Sequence, residues 1–431
     1  MKWIKLRVFR YDPSVDKEPR YDVYKVPGDK KMWVLDALIY IRENYDSSFA
    51  FRYSCRHPKK CGTCGVLIDG EPSLACMTLA KDGMTIEPLP LFPVVKDLVV
   101  DTSEFEKKLR TIKPFLERFK EPEKVPIFFP QNGFQQQTFF DLTSCIECYL
   151  CVNACPIAKK WVIGPAGHLI LARYATDPRD EGDRPNIAYG EGVYYCTTCS
   201  RCKDVCPQGI AIPEIVIQRL RALCVEDGLV PPTIKDALEG VYKHGNPWGI
   251  SRNKRSDWAK DLKVKYLSEG SKAKLLYYVG CAPSYDPRAQ EVARAIVKSL
   301  NTLGIDFSIL GNEETCCGNE IYSLGEEGLF EILVENNLKL FDRYSIDRII
   351  TTSPHCYNAF KNRYGRELKV QHYTQYFAEL IDKGVLKFRR KLDKVVTYHD
   401  PCYLGRYNNI CLLYTSPSPR DLSTSRMPSS A

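Results

Sequence analysis

No apolar run in the chain reaches the roughly 18 residues needed to span a bilayer, so membrane attachment is expected only through a partner. The opening "MKWIKLRVFR" mixes charged and apolar residues and lacks the continuous apolar core of a secretory signal. A chain kept in the reducing cytoplasm is the resulting expectation. A concentrated basic stripe is missing too. The net charge is +8, with Lys and Arg interspersed among acids, which excludes a nucleic-acid footprint and leaves a solvated surface. No G-x-G-x-x-G follows a strand, so no dinucleotide-type site is expected on this chain. Disulfide-scaffold density is also lacking, since 19 cysteines in 431 residues fall well below the roughly 8–10% of such scaffolds. At this length two or three domains are expected.

What is present is cysteine in arrays. In residues 1–105, "MKWIKLRVFRYD" and "YDVYKVPG" read as strands and "KMWVLDALIYIRENY" as an amphipathic helix. A loop then carries Cys55, Cys61, Cys64 and the distant Cys76, with a strand-like "VLID" and a turn "GEPS" between the last two. This approximates the plant-type pattern for a [2Fe-2S] cluster, C-x4-C-x2-C with a remote fourth cysteine. Five residues, "RHPKK", stand where the pattern has four. Gly62 and Gly65 are expected to let backbone approach the inorganic sulfides. His57 offers a Rieske-type alternative, although four cysteines already satisfy two irons, and a structural zinc site is a further alternative.

Residues 106–265 begin within an amphipathic helix, "SEFEKKLRTIKPFLERF", with Ser103 as its N-cap. Two arrays of one spacing follow: Cys145, Cys148, Cys151, Cys155-Pro156 and Cys196, Cys199, Cys202, Cys206-Pro207. This is the two-cluster ferredoxin signature, in which the fourth cysteine of each run ligates the other cluster. Cys145, Cys148, Cys151 and Cys206 are thereby assigned to one [4Fe-4S] cluster, and Cys196, Cys199, Cys202 and Cys155 to the other. Cys224, on the helical "VIQRLRALCVEDG", reads as a packed core thiol.

The plant-type module followed by the two arrays, with "CGTCGVLIDGEPSLACMT" and "LVVDTSEFEKKLRTIKPFLE", resembles the iron-sulfur subunit of succinate dehydrogenase and fumarate reductase over roughly residues 1 to 240. The resemblance implies a β-grasp ferredoxin domain, an α-helical two-cluster domain and a flavoprotein partner subunit carrying FAD. In the quinone-linked members the position matching Cys199 is usually not cysteine, and a [3Fe-4S] cluster results. Here Cys199 is present, which implies a full [4Fe-4S] cluster and counts against direct quinone reduction by this subunit.

"KHGNPWGISRNKRSDW" is a basic, turn-rich connector that could pack on either neighbour. Over residues 266–410 the strands "KLLYYVG", "DFSIL", "RIITTS" and "KVVTYHD" alternate with helices such as "RAQEVARAIVKSLNTLG" and "GLFEILVENNLKLF". The expected fold is a parallel α/β domain, making the chain an α+β multidomain protein. Cysteines follow each strand: Cys281, then Cys316-Cys317-Gly318, then Cys356, then Cys402. The pattern resembles the cysteine-rich (CCG) domain of heterodisulfide reductases, whose motif is C, CC-G, C-x-x-C, occurring twice. Ser353 stands where that motif has a cysteine, so Cys281, Cys316, Cys317 and Cys356 remain as ligands for a further iron-sulfur cluster. The second copy breaks off after Cys402. His355 and His399 are expected to cap helices, with proton transfer to a thiolate as the alternative. Packing of buried cysteines is the bland reading of this module.

Taken together, the modules resemble a subunit that relays electrons between a flavoprotein and a thiol/disulfide site in the CCG domain. A relay to quinone or a small redox protein through a membrane-anchor or thiol-reactive subunit is the alternative, and a zinc-binding assembly protein is a third. Peripheral association with the inner face of a membrane would then come through those partners. Residues 411–431, "CLLYTSPSPRDLSTSRMPSSA", have no apolar periodicity, and Cys-Leu-Leu-Tyr-Thr-Ser back-translates to a sequence resembling a transposon-type sequencing adaptor. The genuine sequence is therefore expected to end near Ile410 by truncation.

Overall fold

The computed structural model describes residues 2–28, 31–55, 58–119, 133–158, 163–268, 272–388, 393, 395 and 399–410, with backbone alone for 133–137. It divides after Asp227 into two compact units. Among the described residues no helix is long and apolar enough to cross a membrane.

The first unit opens with β1 (Trp3–Arg10) and β2 (Arg20–Pro27), paired antiparallel from Trp3↔Pro27 to Arg10↔Arg20. Alternation along β1 turns Ile4, Leu6, Val8 and Arg10 inward. The helix Val34–Asn44 covers them with Val34, Ala37, Leu38 and Ile41. β3 (Gly65–Ile68), β4 (Glu71–Leu74) and β5 (Thr85–Glu87) complete a sheet of order β2-β1-β5-β3-β4, in which β5 runs parallel to β1. The expected "GEPS" turn is displaced. The chain reverses at Asp69 and Gly70, both left-handed, and Glu71, Pro72 and Ser73 lie in β4. Pro72 is tolerated there because β4 is the sheet edge.

Arg10 is the one charge β1 points inward. Its guanidinium reaches Asp97 at 2.9 Å and Asp46 at 2.8 Å. Asp97 also accepts from the Tyr11 and Ala50 amides, at 3.1 and 2.9 Å. Asp97 lies between β6 (Val94–Lys96) and β7 (Val99–Val100), so this buried ion pair ties the first strand to that hairpin and to the chain entering the Cys55 loop.

Helices dominate the rest of the unit. The helix expected from Ser103 runs only to Thr111, with Thr102 rather than Ser103 at the N-cap position. Lys113, at φ 49°, precedes Pro114, and a residue before proline is disfavoured in the α region. Farther on, Gly164–Ala175 and Gln218–Glu226 are buried helices, and Cys224 on the second is fully buried with its thiol on the Pro185 carbonyl at 3.4 Å.

Among the described residues the second unit holds five parallel strands: β8 (Lys265–Tyr266), β9 (Leu275–Tyr278), β10 (Ser308–Ile309), β11 (Arg348–Thr351) and β12 (Val370–His372), in the order β12-β11-β9-β10-β8. All four residues of β9 are buried. Leu276 and Tyr278 enter one core and Leu275 and Tyr277 the other, as expected of a parallel sheet covered on both faces. Three of the four expected strands are present, the fourth, "KVVTYHD", falls largely outside the described residues, and the edge strands β8 and β12 were not anticipated. The connector belongs to this unit: Val241 of the helix Pro232–His244 joins one core, Trp258 and Ala259 the other.

Asp97→Asn is expected to lower the stability of the first unit by about 3 kcal/mol, because it leaves Arg10 short of its most buried partner. Urea denaturation followed by circular dichroism checks this.

Candidate metal centres

In the first loop the structure brings Cys61 beside Cys55, and Cys64 beside Cys76. Burial pushes the Cys64 thiol up to about 12. Burial acts the same way on Cys61, but hydrogen bonding with Thr63 and Cys55 outweighs it and brings that thiol down to about 6. Arg56 and the candidate ligand His57 lie outside the described residues.

Gly62 has a further constraint besides access to sulfide. It sits at φ 70°, and a Cβ there would meet the Ile146 carbonyl at 2.7 Å and the Cys148 Cβ at 2.9 Å. Gly65 likewise faces Leu150 and the Cys148 carbonyl. The loop of the first module therefore presses on the backbone of the first cysteine array. Leu150 belongs to the ferredoxin core, and Gln208, two residues beyond Cys206, donates to the Lys59 carbonyl at 3.0 Å.

The two arrays share one backbone device. In Cys145–Cys151 the left-handed residues are Glu147 and Tyr149, and in Cys196–Cys202 they are Thr198 and Ser200, at φ 51°, 57°, 51° and 63°. None is glycine, so each costs roughly 1–2 kcal/mol. The same two positions are strained in both repeats, and each run then enters a short helix, Leu150–Ala154 or Arg201–Asp204. Cys145, Cys148, Cys151 and Cys206 line one cavity of about 20 Å³. Cys155, Cys196, Cys199 and Cys202 line another of about 40 Å³. The fourth cysteine of each run thus stands with the other run's three. A five-residue π-helical turn, Pro213–Ile217, contributes Pro213 and Ile217 to the wall of the second cavity.

Of these thiols Cys202 is buried and the others are half-buried, and withdrawal from water disfavours the ionised form of six: Cys145, Cys148, Cys151, Cys155, Cys196 and Cys202. Burial pushes Cys148 up to about 12, and Cys151 and Cys202 well above the usual thiol value. Opposing contributions come from backbone amides, of Glu147 at Cys145, Leu150 at Cys148, Ile157 and Ala158 at Cys155, Thr198 at Cys196 and Lys203 at Cys202, and from Arg173 near Cys145 and the buried Arg221 near Cys196. A site that gathers four soft donors yet does not stabilise thiolates by itself fits a cationic iron-sulfur core, which deprotonates its ligands on binding. Sequence reasoning missed Arg221. It lies on a helix that pattern alone marks as core, and it donates to the Val193 and Cys196 carbonyls at 3.0 and 2.6 Å.

In the second unit the Cys281, Cys316, Cys317 and Cys356 thiols lie next to one another in that order. Each follows the C-terminal end of β9, β10 or β11. The carbonyls of the double-cysteine loop are all satisfied by buried donors. Tyr278 donates to Thr315 at 2.5 Å, Asn337 to Cys316 at 3.1 Å and Tyr364 to Cys317 at 3.1 Å. Gly318, at φ 80°, cannot carry a Cβ without meeting Phe330 at 2.7 Å, which explains the glycine after the pair. The Gly318 amide in turn donates to the Cys316 sulfur at 3.4 Å.

Ser353 caps the helix Pro354–Asn362, its hydroxyl accepting from the His355 amide at 3.2 Å. The expectation that His355 and His399 cap helices is therefore corrected. The His355 ring pairs with Glu320 and packs on Tyr403 with centroids 4.6 Å apart, and the helix Cys402–Asn408 begins at Pro401 without a side-chain cap. A hydroxyl one residue before the helix is a better cap than an imidazole inside its first turn.

The sequence matches three known domain families: the 2Fe-2S iron-sulfur cluster binding domain over residues 5–107, the 4Fe-4S dicluster domain over 141–210 and the Cysteine-rich domain over 275–361. It is 34% identical over 415 residues to a subunit of the fumarate reductase (CoM/CoB) of Methanothermobacter marburgensis, covering 95% of this chain and 80% of that one. The chain belongs to the succinate dehydrogenase/fumarate reductase iron-sulfur family, fused to a CCG domain. An uncharacterized iron-sulfur protein of Methanocaldococcus jannaschii is 35% identical, across 94% of this chain and 80% of its own length. The fumarate reductase iron-sulfur subunit of Escherichia coli is 36% identical, over 53% of this chain and 96% of its own length. The chain is accordingly an iron-sulfur electron-transfer subunit of a fumarate reductase-type or related oxidoreductase.

Within this family fold, Gly62→Ala is expected to destabilise the first unit by about 2 kcal/mol or more, from left-handed strain together with overlap on the Cys148 backbone. Thermal unfolding of the variant, compared with Gly70→Ala where a Cβ meets nothing within 4 Å, separates strain from overlap.

Proposed function

We propose that this chain carries electrons between an FAD-containing flavoprotein subunit and a thiol/disulfide couple served by the CCG domain. Cys55, Cys61, Cys64 and Cys76 hold one [2Fe-2S] cluster. Cys145, Cys148, Cys151 and Cys206 hold one [4Fe-4S] cluster, and Cys196, Cys199, Cys202 and Cys155 a second. Cys281, Cys316, Cys317 and Cys356 hold a further cluster. The observation that carries this reading is the exchange of Cys155 and Cys206 between two cysteine-lined cavities. Bound iron-sulfur clusters supply one-electron steps between the two-electron chemistries of a flavin and a dithiol.

The protein's own part is to fix the sulfurs and limit water. The four strained residues of the arrays turn each triplet of thiols to one side, and the fourth thiol arrives from the other run. The loop holding Cys61 and Cys64 lies against Cys148, which supports short transfer from the first site to the next. In the CCG domain, Ser353 is engaged as a helix cap, and this favours four cysteine ligands over five. A relative named for CoM/CoB supports a thiol couple as the far partner. Cys199 is present in the second array, which favours that partner over a quinone.

Anaerobically purified chain should contain about 14 iron ions with matching acid-labile sulfide, about ten of them held by residues 55–206; a zinc-loaded, sulfide-free product would refute the reading. Assembled with its flavoprotein and expressed from the full-length gene, the protein should reduce fumarate faster with a dithiol donor than with a reduced quinone. Cys155→Ser should disturb the cluster assigned to Cys196, Cys199 and Cys202 and spare its neighbour. Low-temperature electron paramagnetic resonance distinguishes the two, and loss of the other signal sinks the crossed assignment.

A further inference from the structure

We infer that Arg255 is a positioning residue of the CCG site: held by Glu314, it grips the Cys281 sulfur and fixes the reduction potential of the cluster proposed there. This rests on the reading of Cys281, Cys316, Cys317 and Cys356 as cluster ligands.

The connector that reads in sequence as a basic, solvated turn does not treat its cations alike. Arg252 and Lys254 are exposed, whereas Arg255 is 1% exposed. Its two terminal nitrogens lie 3.7 and 3.6 Å from the Cys281 sulfur. One also donates to the Gly245 carbonyl at 3.3 Å, and the other to the Thr315 carbonyl at 3.0 Å and to Glu314 at 2.8 Å. One side chain therefore joins the connector, the first cysteine and the double-cysteine loop. Ser256 reinforces the junction, its amide and hydroxyl both donating to Asn312, at 3.1 and 2.8 Å.

Burying a guanidinium costs several kcal/mol unless an anion accompanies it. Glu314, 2% exposed, is that anion, and it is fixed by the Val279 and Gly280 amides at 2.9 and 2.8 Å. Those amides close β9 just before Cys281. The carboxylate thus orients the arginine and spreads part of its own charge into backbone donors, leaving the two guanidinium nitrogens directed at sulfur. Hydrogen bonds to sulfur and nearby charge are two of the levers that set the potential of such clusters. When an electron is added from an external reductant, one more negative charge appears beside Cys281, no bond of the chain breaks, and Arg255 keeps its proton. A cation there favours the reduced form, and the buried carboxylate opposes it.

The two charges consequently predict shifts of opposite sign. In the full chain titrated with dithionite and followed by electron paramagnetic resonance, Arg255→Gln should lower the midpoint of the CCG-site signal, and Glu314→Gln should raise it. Arg255→Lys, which keeps the charge without the fork, should fall between Arg255→Gln and wild type, at unchanged iron content. Signals from residues 55–206 should not move. Equal midpoints, or shifts of one sign for both charges, overturn the inference while leaving the cluster reading intact. Absence of any CCG-site signal and of its iron in the wild type overturns both. If Arg255→Gln does not fold, Glu314→Gln decides: a raised midpoint supports the inference and any other result ends it.

Discussion

Thiols gathered in fours and withdrawn wholly or in part from water are the constraint from which the rest of this structure follows. In the first unit, Cys148, Cys151 and Cys202 are all pushed upward by burial. The backbone around them is also held in conformations that cost energy, at Glu147, Tyr149, Thr198 and Ser200. Neither feature helps a metal-free chain to fold. On the proposed reading, the array cysteines would hold a cluster whose positive core favours their thiolate forms, and its insertion would be coupled to folding of the two runs. The exchange of Cys155 and Cys206 strengthens that coupling, because neither cavity has its four sulfurs until both runs are in place.

The second unit meets the same constraint differently. Its double-cysteine loop is organised before any metal is considered, with buried hydroxyl and amide donors on three successive carbonyls and a paired arginine at the first sulfur. Strand ends on one edge of a parallel sheet supply the cysteines, the place where such sheets carry their ligands. Most of the polar groups brought to that loop are matched: the terminal nitrogens of Arg255 by Glu314 and backbone carbonyls, and the carbonyls of the double-cysteine loop by Tyr278, Asn337 and Tyr364. A site built on matched buried groups is rigid, since moving any one of them leaves another unsatisfied. The first unit carries strain in its cysteine arrays, whereas the double-cysteine loop of the second is held by hydrogen bonds.

Sequence made the chemistry legible wherever it was written in spacing. The two runs from Cys145 and Cys196, the strand alternation of β1 and the βα alternation after Leu275 follow from periodicity, which the chain expresses locally. Gly318 was visible as part of a motif, but its reason, the Phe330 ring beneath it, was not, because Phe330 is twelve residues away on another helix. The edge strands β8 and β12 have two and three residues, too few to show a period. Pro72 in β4 misled the reading into a turn, since proline signals a turn locally and only the sheet order reveals an edge. Arg221, Arg255 and Glu314 were invisible for one shared reason: a charged side chain reads as surface until its distant partners are known, Val193 being 28 residues from Arg221 and Glu314 59 from Arg255.

Ser353 shows what a hydroxyl does where the CCG motif has a cysteine. A thiol at that position would sit just before the helix Pro354–Asn362, whose second amide needs an acceptor. Serine provides one, worth roughly 1 kcal/mol to the helix, whereas a metal-bound thiolate would be drawn away from the amide. The substitution therefore exchanges a fifth sulfur for a firmer helix start, directly before Cys356. That firmness also reaches the second cysteine repeat, since Asn358 and Asn362 of the same helix bond Asn408, and His355 packs on Tyr403. The helix that presents Cys356 to its three partner thiols is thus pinned at its start by Ser353 and along its side by the segment Cys402–Asn408, which leaves the Cys356 sulfur little freedom to move when the charge beside it changes.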